Sequence, residues 1–174
     1  MKIKPIILIV SILLLLAGSL AFVQEVTYSP LTEKEFKNLF PNYDSGAKKK
    51  YSVDFIGLSL HGELFDMFLY ELTDMTIDSC HPNLRDDWTS VSMSDGIAVS
   101  SWQRIPMDSS TNIRCKDALD LVKNKDDKRY TTFITELSNP LNYYSYLYVN
   151  ELEYYFFLYC FEKHHLYYVR KRGW

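Results

Sequence analysis

Leu152-Glu153-Tyr154-Tyr155-Phe156-Phe157-Leu158-Tyr159-Cys160-Phe161 is the stretch on which the fold turns. Its aromatic side chains suit a pleated surface better than a helix, and it contains no Gly or Pro. Alternation puts Tyr155, Phe157, Tyr159 and Phe161 on one face, and Tyr154, Phe156, Leu158 and Cys160 on the other. Both sets are apolar, so the strand is expected to be central, with both faces covered.

Tyr143–Val149 and Leu166–Arg172 flank it with the same aromatic and β-branched character. Asn150-Glu151 and Glu162–His165 separate them, which predicts an antiparallel meander. Further upstream, Tyr130, Phe133, Ile134 and Leu137 fall at helical spacing, and Asn139-Pro140 supplies the stop, so a helix is expected over Lys128–Leu137. Thr32 and Glu35 have capping-box spacing ahead of Phe36, Leu39 and Phe40, which predicts a helix over Thr32–Phe40 ended by Pro41.

Tyr51–Leu72 is ambiguous. Ile56, Leu58 and Leu60 alternate with smaller or polar residues, and His61-Gly62 resembles a hairpin tip. The competing pattern places Leu64, Phe65, Phe68, Leu69 and Leu72 on one helix face; aromatic enrichment favours two strands. Met75–Ile77, Thr89–Met93 and Ile97–Trp102 are short strand candidates, and Asp117–Lys123 is a short helix or strand. The expected class is α+β: an antiparallel sheet with a C-terminal three-stranded aromatic meander packed against two or three short helices.

The N-terminus has a different logic. Lys2 and Lys4 precede an uncharged run that ends before Glu25, and Ile6–Leu16 is almost wholly Ile, Leu and Val. The flanking charges orient Met1 toward the cytoplasm. Ala17-Gly18-Ser19 and Ser19-Leu20-Ala21 offer small residues for signal-peptide cleavage, while Pro5–Gln24 also approaches the roughly 20 residues of a spanning helix. Residues 1–24 are therefore a signal peptide or membrane anchor, and 25–174 a single α+β domain that is secreted, periplasmic or held on the outer side of the membrane. If the segment is retained, residues 6–23 contact lipid.

The chain carries 19 basic and 22 acidic residues; without Lys2 and Lys4 the balance is 17 against 22, a net −5. That disfavours a nucleic-acid partner, which calls for a basic face. Lys48-Lys49-Lys50 and Arg170-Lys171-Arg172 are short enough to be a solvated loop and a strand end. Of the three cysteines, Cys160 sits in the aromatic run as a small hydrophobe, whereas Cys80 and Cys115 lie in polar surroundings where a disulfide is conceivable.

No phosphate loop, nucleophile elbow, dinucleotide fingerprint or glycosylation triplet occurs, and no cofactor or metal is expected. His61, Glu63 and Asp66 form the densest polar group within an apolar region, the basis for a small metal-dependent or hydrolytic enzyme; a polar turn explains the same residues. His164-His165 and Cys80-His81-Pro82 are explained by turn and loop polarity, since neighbours on a strand face opposite ways. Nine tyrosines fall within Tyr143–Tyr168. An exposed face including Tyr144, Tyr146, Tyr148, Tyr155 and Tyr168 would suit a noncatalytic domain that engages a protein or glycan in the envelope. The competing account makes these rings sheet core. An envelope assembly or immunity-type protein would need no local signature.

Overall fold

A computed structural model describes residues 8–19, 31, 33, 36, 43, 46–56, 63–73, 98–112, 128–150 and 152–173. The chain divides into two units, Met1–Leu31 and Thr32–Trp174. In the first, residues 8–19 form a helix, α1. All its residues are exposed, and its large apolar side chains are 48–71% accessible. Among the described residues no helix is long and apolar enough to cross a membrane.

Among its described residues the second unit is dominated by strands: β1 (Lys48–Asp54), β2 (Leu64–Glu71), β3 (Ala98–Val99), β4 (Gln103–Arg104), β5 (Tyr143–Asn150), β6 (Glu153–Cys160) and β7 (His165–Arg172). Helix α2 (Lys128–Glu136) precedes β5. One sheet holds all seven strands in the order β1-β2-β7-β6-β5, with the two-residue β3 and β4 both on the outer side of β5. Every pairing is antiparallel.

The expected antiparallel sheet is present, and β5, β6 and β7 are neighbours in it. β7 is not an outer strand, however, because β2 pairs along its other edge from Leu64↔Arg172 to Glu71↔His165. Within the ambiguous Tyr51–Leu72, Leu64–Glu71 is thus β2, a strand buried from Phe65 to Tyr70. Two further corrections follow. Lys48–Lys50 begin the edge strand β1 instead of lying in a loop, and Arg170–Arg172 do end β7 as expected, but Arg170 and Lys171 are only 7% and 5% exposed. A central strand can bury such residues by packing their aliphatic stems, as Lys171 does with its ammonium 5.9 Å from the Tyr154 ring.

Two apolar layers result from the period-two alternation. On one face Tyr154, Phe156, Leu158 and Cys160 join Tyr167 and Val169 of β7 and Phe65, Met67 and Leu69 of β2. Helix α2 covers this layer through Tyr130 and Phe133, and Phe133 meets Tyr167 at 5.2 Å and Phe156 edge-on at 6.4 Å. On the opposite face Phe68, Tyr168 and Phe157 stack across β2, β7 and β6 at 5.7 and 5.2 Å, and none is accessible to solvent. Phe161 leaves this layer: β6 ends at Cys160, and Phe161–Lys163 form a 3-10 turn that returns through His164 in the left-handed region (φ 51°).

Of the expected Thr32–Phe40 helix, Glu33 and Phe36 are helical, and Phe36 packs edge-on to Tyr70 at 4.8 Å. Of Ile97–Trp102, Ala98–Val99 is strand, Ser100–Trp102 is not, and Ile97 lies outside the described residues. Met75–Ile77, Thr89–Met93, Asp117–Lys123, most of Ile56–His61, Cys80 with His81, and Cys115 lie outside the described residues.

Candidate functional site

The five singled-out tyrosines are divided between the two sides of the sheet. Tyr144, Tyr146 and Tyr148 share the α2-covered face, because Tyr144 pairs with Leu158, Tyr146 with Phe156 and Tyr148 with Tyr154. Tyr155 and Tyr168 lie on the other, opposite Leu147 and Phe157. Tyr144, Tyr155 and Tyr168 are buried; Tyr146 and Tyr148 are half-buried and pack against the core.

The Tyr144 and Tyr155 hydroxyls serve the fold. Tyr144 donates to Gln103 Oε1 at 2.6 Å and lies 3.0 Å from Asp108 Oδ2, and burial raises its phenol. Asp108 also accepts from Ser110 Oγ and from the Thr111 amide and hydroxyl, which together hold its carboxyl well below the usual range. Tyr155 donates to Glu153 at 2.5 Å, and burial again raises the phenol.

His61 lies outside the described residues. Glu63, just before β2, packs beside Gly173, where an added Cβ would come within 3.0 Å of Glu63 Cγ. Asp66 is three positions on, so an extended chain turns the two carboxylates to opposite faces. Asp66 is instead committed to Arg170, whose Nε donates to Oδ2 at 2.6 Å with both side chains buried. Burial pushes the Asp66 carboxyl up to about 6, against the lowering effect of Arg170 and helped by Asp54 opposite it on β1. Its second oxygen accepts no hydrogen bond. Arg170 also lies over the Phe68 ring at 5.5 Å. Among the described residues no group of three or more His, Cys, Asp or Glu is placed to hold a metal.

Two arrangements had no sequence signal. At the β6–β7 turn, buried Glu136 at the end of α2 accepts from Lys163 Nζ and from Asn142 Nδ2 at 3.0 Å. Asn142 also donates to the Glu136 carbonyl at 2.9 Å and accepts the Phe161 amide at 3.2 Å. Burial pushes the Glu136 carboxyl up, but the bonds from Lys163 and Asn142 outweigh it and hold it below its ordinary value. The cluster ties the helix end to the sheet; the buried Cys160 thiol beside it is raised by burial first and by Glu136 second, the opposite of an activated nucleophile. His164 and His165 separate as expected of neighbours: His164 is exposed, and His165 opens β7, half-buried with its imidazole lowered by burial.

The second arrangement is at the surface. Arg104 donates from Nε to Tyr143 Oη at 3.1 Å and lies 5.1 Å over its ring, and Phe161 meets the same ring at 6.4 Å. Phe161 and the nearby Leu141 are 52% and 42% exposed. The result is a prearranged Tyr-Phe-Arg cluster at the start of β5, built from residue types enriched at interfaces. No protein-family model matches the chain, and neither the curated proteins nor the solved structures give a significant match.

Proposed function

We infer that the chain is exported, is tethered to or released beyond a membrane, and acts by binding a protein or glycan. The observation that carries export is α1. Eight large apolar side chains on this helix are about half exposed or more. Leaving them in water costs on the order of 10 kcal/mol at about 1.5–3 kcal/mol per fully buried side chain. Lipid or a translocation channel removes that cost. α1 rises about 18 Å at 1.5 Å per residue, and the uncharged sequence extends beyond it from Pro5 to Gln24, enough for either a signal core or an anchor.

Binding is supported by where aromatic surface remains. The interior of the sheet uses Tyr144, Tyr155 and Tyr168 for packing, so the partner surface in this reading moves from the sheet face to its rim. There Tyr143, Phe161, Leu141 and Arg104 are presented, with Tyr146 and Tyr148 half-buried nearby on the other side of β5. The sheet in this account is a C-terminal meander backed by two or three short helices, a rigid platform for that rim.

Cell fractionation with N-terminal sequencing tests the first part. A product beginning near Leu20 or Phe22 in the exported fraction is a released domain, and an intact Met1 in the membrane fraction is an anchored one. Intact chain in the cytoplasmic soluble fraction refutes export.

A further inference from the structure

The fold brings two basic segments, far apart in sequence, to one corner of the sheet. Lys48, Lys49 and Lys50 are exposed on the edge strand β1, and Lys128 and Arg129 are exposed at the start of α2. Tyr51 joins them: it lies next to Lys50, and the Arg129 guanidinium stands 5.8 Å from its ring centroid. Glu71, opposite Lys48 on β2, pairs with Lys50 at 2.5 Å, and Asp54 is exposed at the far end of β1. Asp126 and Asp127 precede Lys128 in sequence and lie outside the described residues.

Lysines on an open edge discourage strand addition, which explains β1 in part. It does not explain α2, whose first turn holds Lys128 and Arg129 and no acidic residue. Cations at the positive end of a helix dipole weaken the helix. An anion at this corner would be favoured by the side chains and by the dipole together.

We propose that the Lys48–Lys50 edge and the N-terminus of α2 form a docking surface for anionic phospholipid headgroups. This rests on the inference of an exported chain whose apolar segment brings it to a bilayer. Lys48, Lys49 and Lys128 are exposed cations at this corner, and each lysine near an anionic surface strengthens attraction about fivefold. Tyr51 suits the same setting, since tyrosine favours the membrane–water boundary. A short phosphate-binding pocket is not required, because a charged surface attracts through summed potential.

The test uses the full chain reconstituted in two kinds of vesicle, phosphatidylcholine alone and phosphatidylcholine with about a third phosphatidylglycerol. Co-flotation with the neutral vesicles reads the apolar tether; the difference between the two kinds reads the corner. Lys48, Lys49 and Lys128 are expected to be acetylated at least about threefold more slowly on the anionic vesicles, with the difference lost in about 0.5 M salt. The triple variant K48E/K49E/K128E, which leaves the Lys50–Glu71 and Arg129–Tyr51 contacts in place, is expected to show no difference between vesicles while keeping its circular dichroism. If the chain does not float with neutral vesicles, the tether fails, yet salt-sensitive flotation with anionic vesicles alone would still support the corner. Equal acetylation on both kinds of vesicle overturns the proposal. So does protection by soluble polyphosphate without protection by anionic vesicles, which would assign the surface to a polyanion.

Discussion

The Asp66–Arg170 pair makes a quantitative test because its cost depends on pH in a defined direction. Asp66 is 1% exposed and titrates at about 6, well above its ordinary 3.8. A folded-state value raised in this way means that the native protein holds the proton more tightly than the unfolded chain. Its contribution is therefore fully present below about pH 4 and is lost as pH rises through about 6, in all roughly 3 kcal/mol at 1.36 kcal/mol per unit. Replacing Arg170 by Met leaves the carboxyl buried without a counterion, so it stays neutral. Holding it neutral at pH 7.5 costs about 5 kcal/mol, against the roughly 3 kcal/mol already carried by the native pair. Lost packing over Phe68 adds about 1–2 kcal/mol. R170M should thus destabilise the sheet by about 3–4 kcal/mol at pH 7.5. At pH 5 both proteins carry a protonated Asp66, and only the packing loss of about 1–2 kcal/mol remains. The double variant D66L/R170M removes both charges and should match or exceed the parent at pH 7.5, by up to about 2 kcal/mol. Urea unfolding of the full chain in detergent, followed by near-ultraviolet circular dichroism, measures all three. A loss for R170M that is the same at both pH values, or a double variant as damaged as the two singles combined, would refute the reasoning.

The Phe68–Tyr168–Phe157 stack predicts that Phe157→Ala costs about 3–5 kcal/mol while Phe157→Leu costs clearly less, measured by the same urea transitions. Glu136 is held below its ordinary value, so its contribution is present above about pH 4.5 and is lost on acidification; Glu136→Gln should flatten the acid limb of a stability–pH curve near that value and lower stability at neutral pH by about 1–3 kcal/mol. His164 occupies the left-handed region, which Asn tolerates and a β-branched residue does not, so His164→Val should unfold at a lower urea concentration than His164→Asn, by about 1–2 kcal/mol.

What could be read from the sequence follows from which forces act locally. β6 and α2 were visible because alternation and 3.6-residue spacing are properties of consecutive residues. β2 was ambiguous for a physical reason: Phe65 to Tyr70 are buried on both sides, so neither period stands out against the apolar run. β1 was hidden because an edge strand need not be apolar, and its Lys48–Lys50 look like any solvated loop. The tyrosines were recognised as a group, but their division between two faces depends on register between strands. That is fixed by pairings such as Tyr148↔Tyr154 and Phe157↔Tyr168, which no local pattern encodes. Arg170 is the plainest case. Its partner Asp66 is 104 residues away, so a reading of its neighbours could only place it in water.

The position of β7 bears on how the chain is made. β7 follows every other strand in sequence, yet it lies between β2 and β6. When β2 leaves the ribosome, Phe65, Met67 and Leu69 on one side and Phe68 and Tyr70 on the other have β1 and, at Tyr70, Phe36 beside them, but not β7. The strand that will shelter them is about a hundred residues from being synthesised, and closing so long a loop is entropically costly. Such a sheet assembles late and all at once, since β1–β2 and β5–β6 are separate hairpins until β7 joins them. During that wait β2 is an aromatic edge open to any other unfinished strand, so yield should fall with synthesis rate and rise with holding chaperones. Until β7 is made, the chain also stays threadable, which is what the proposed export route would require.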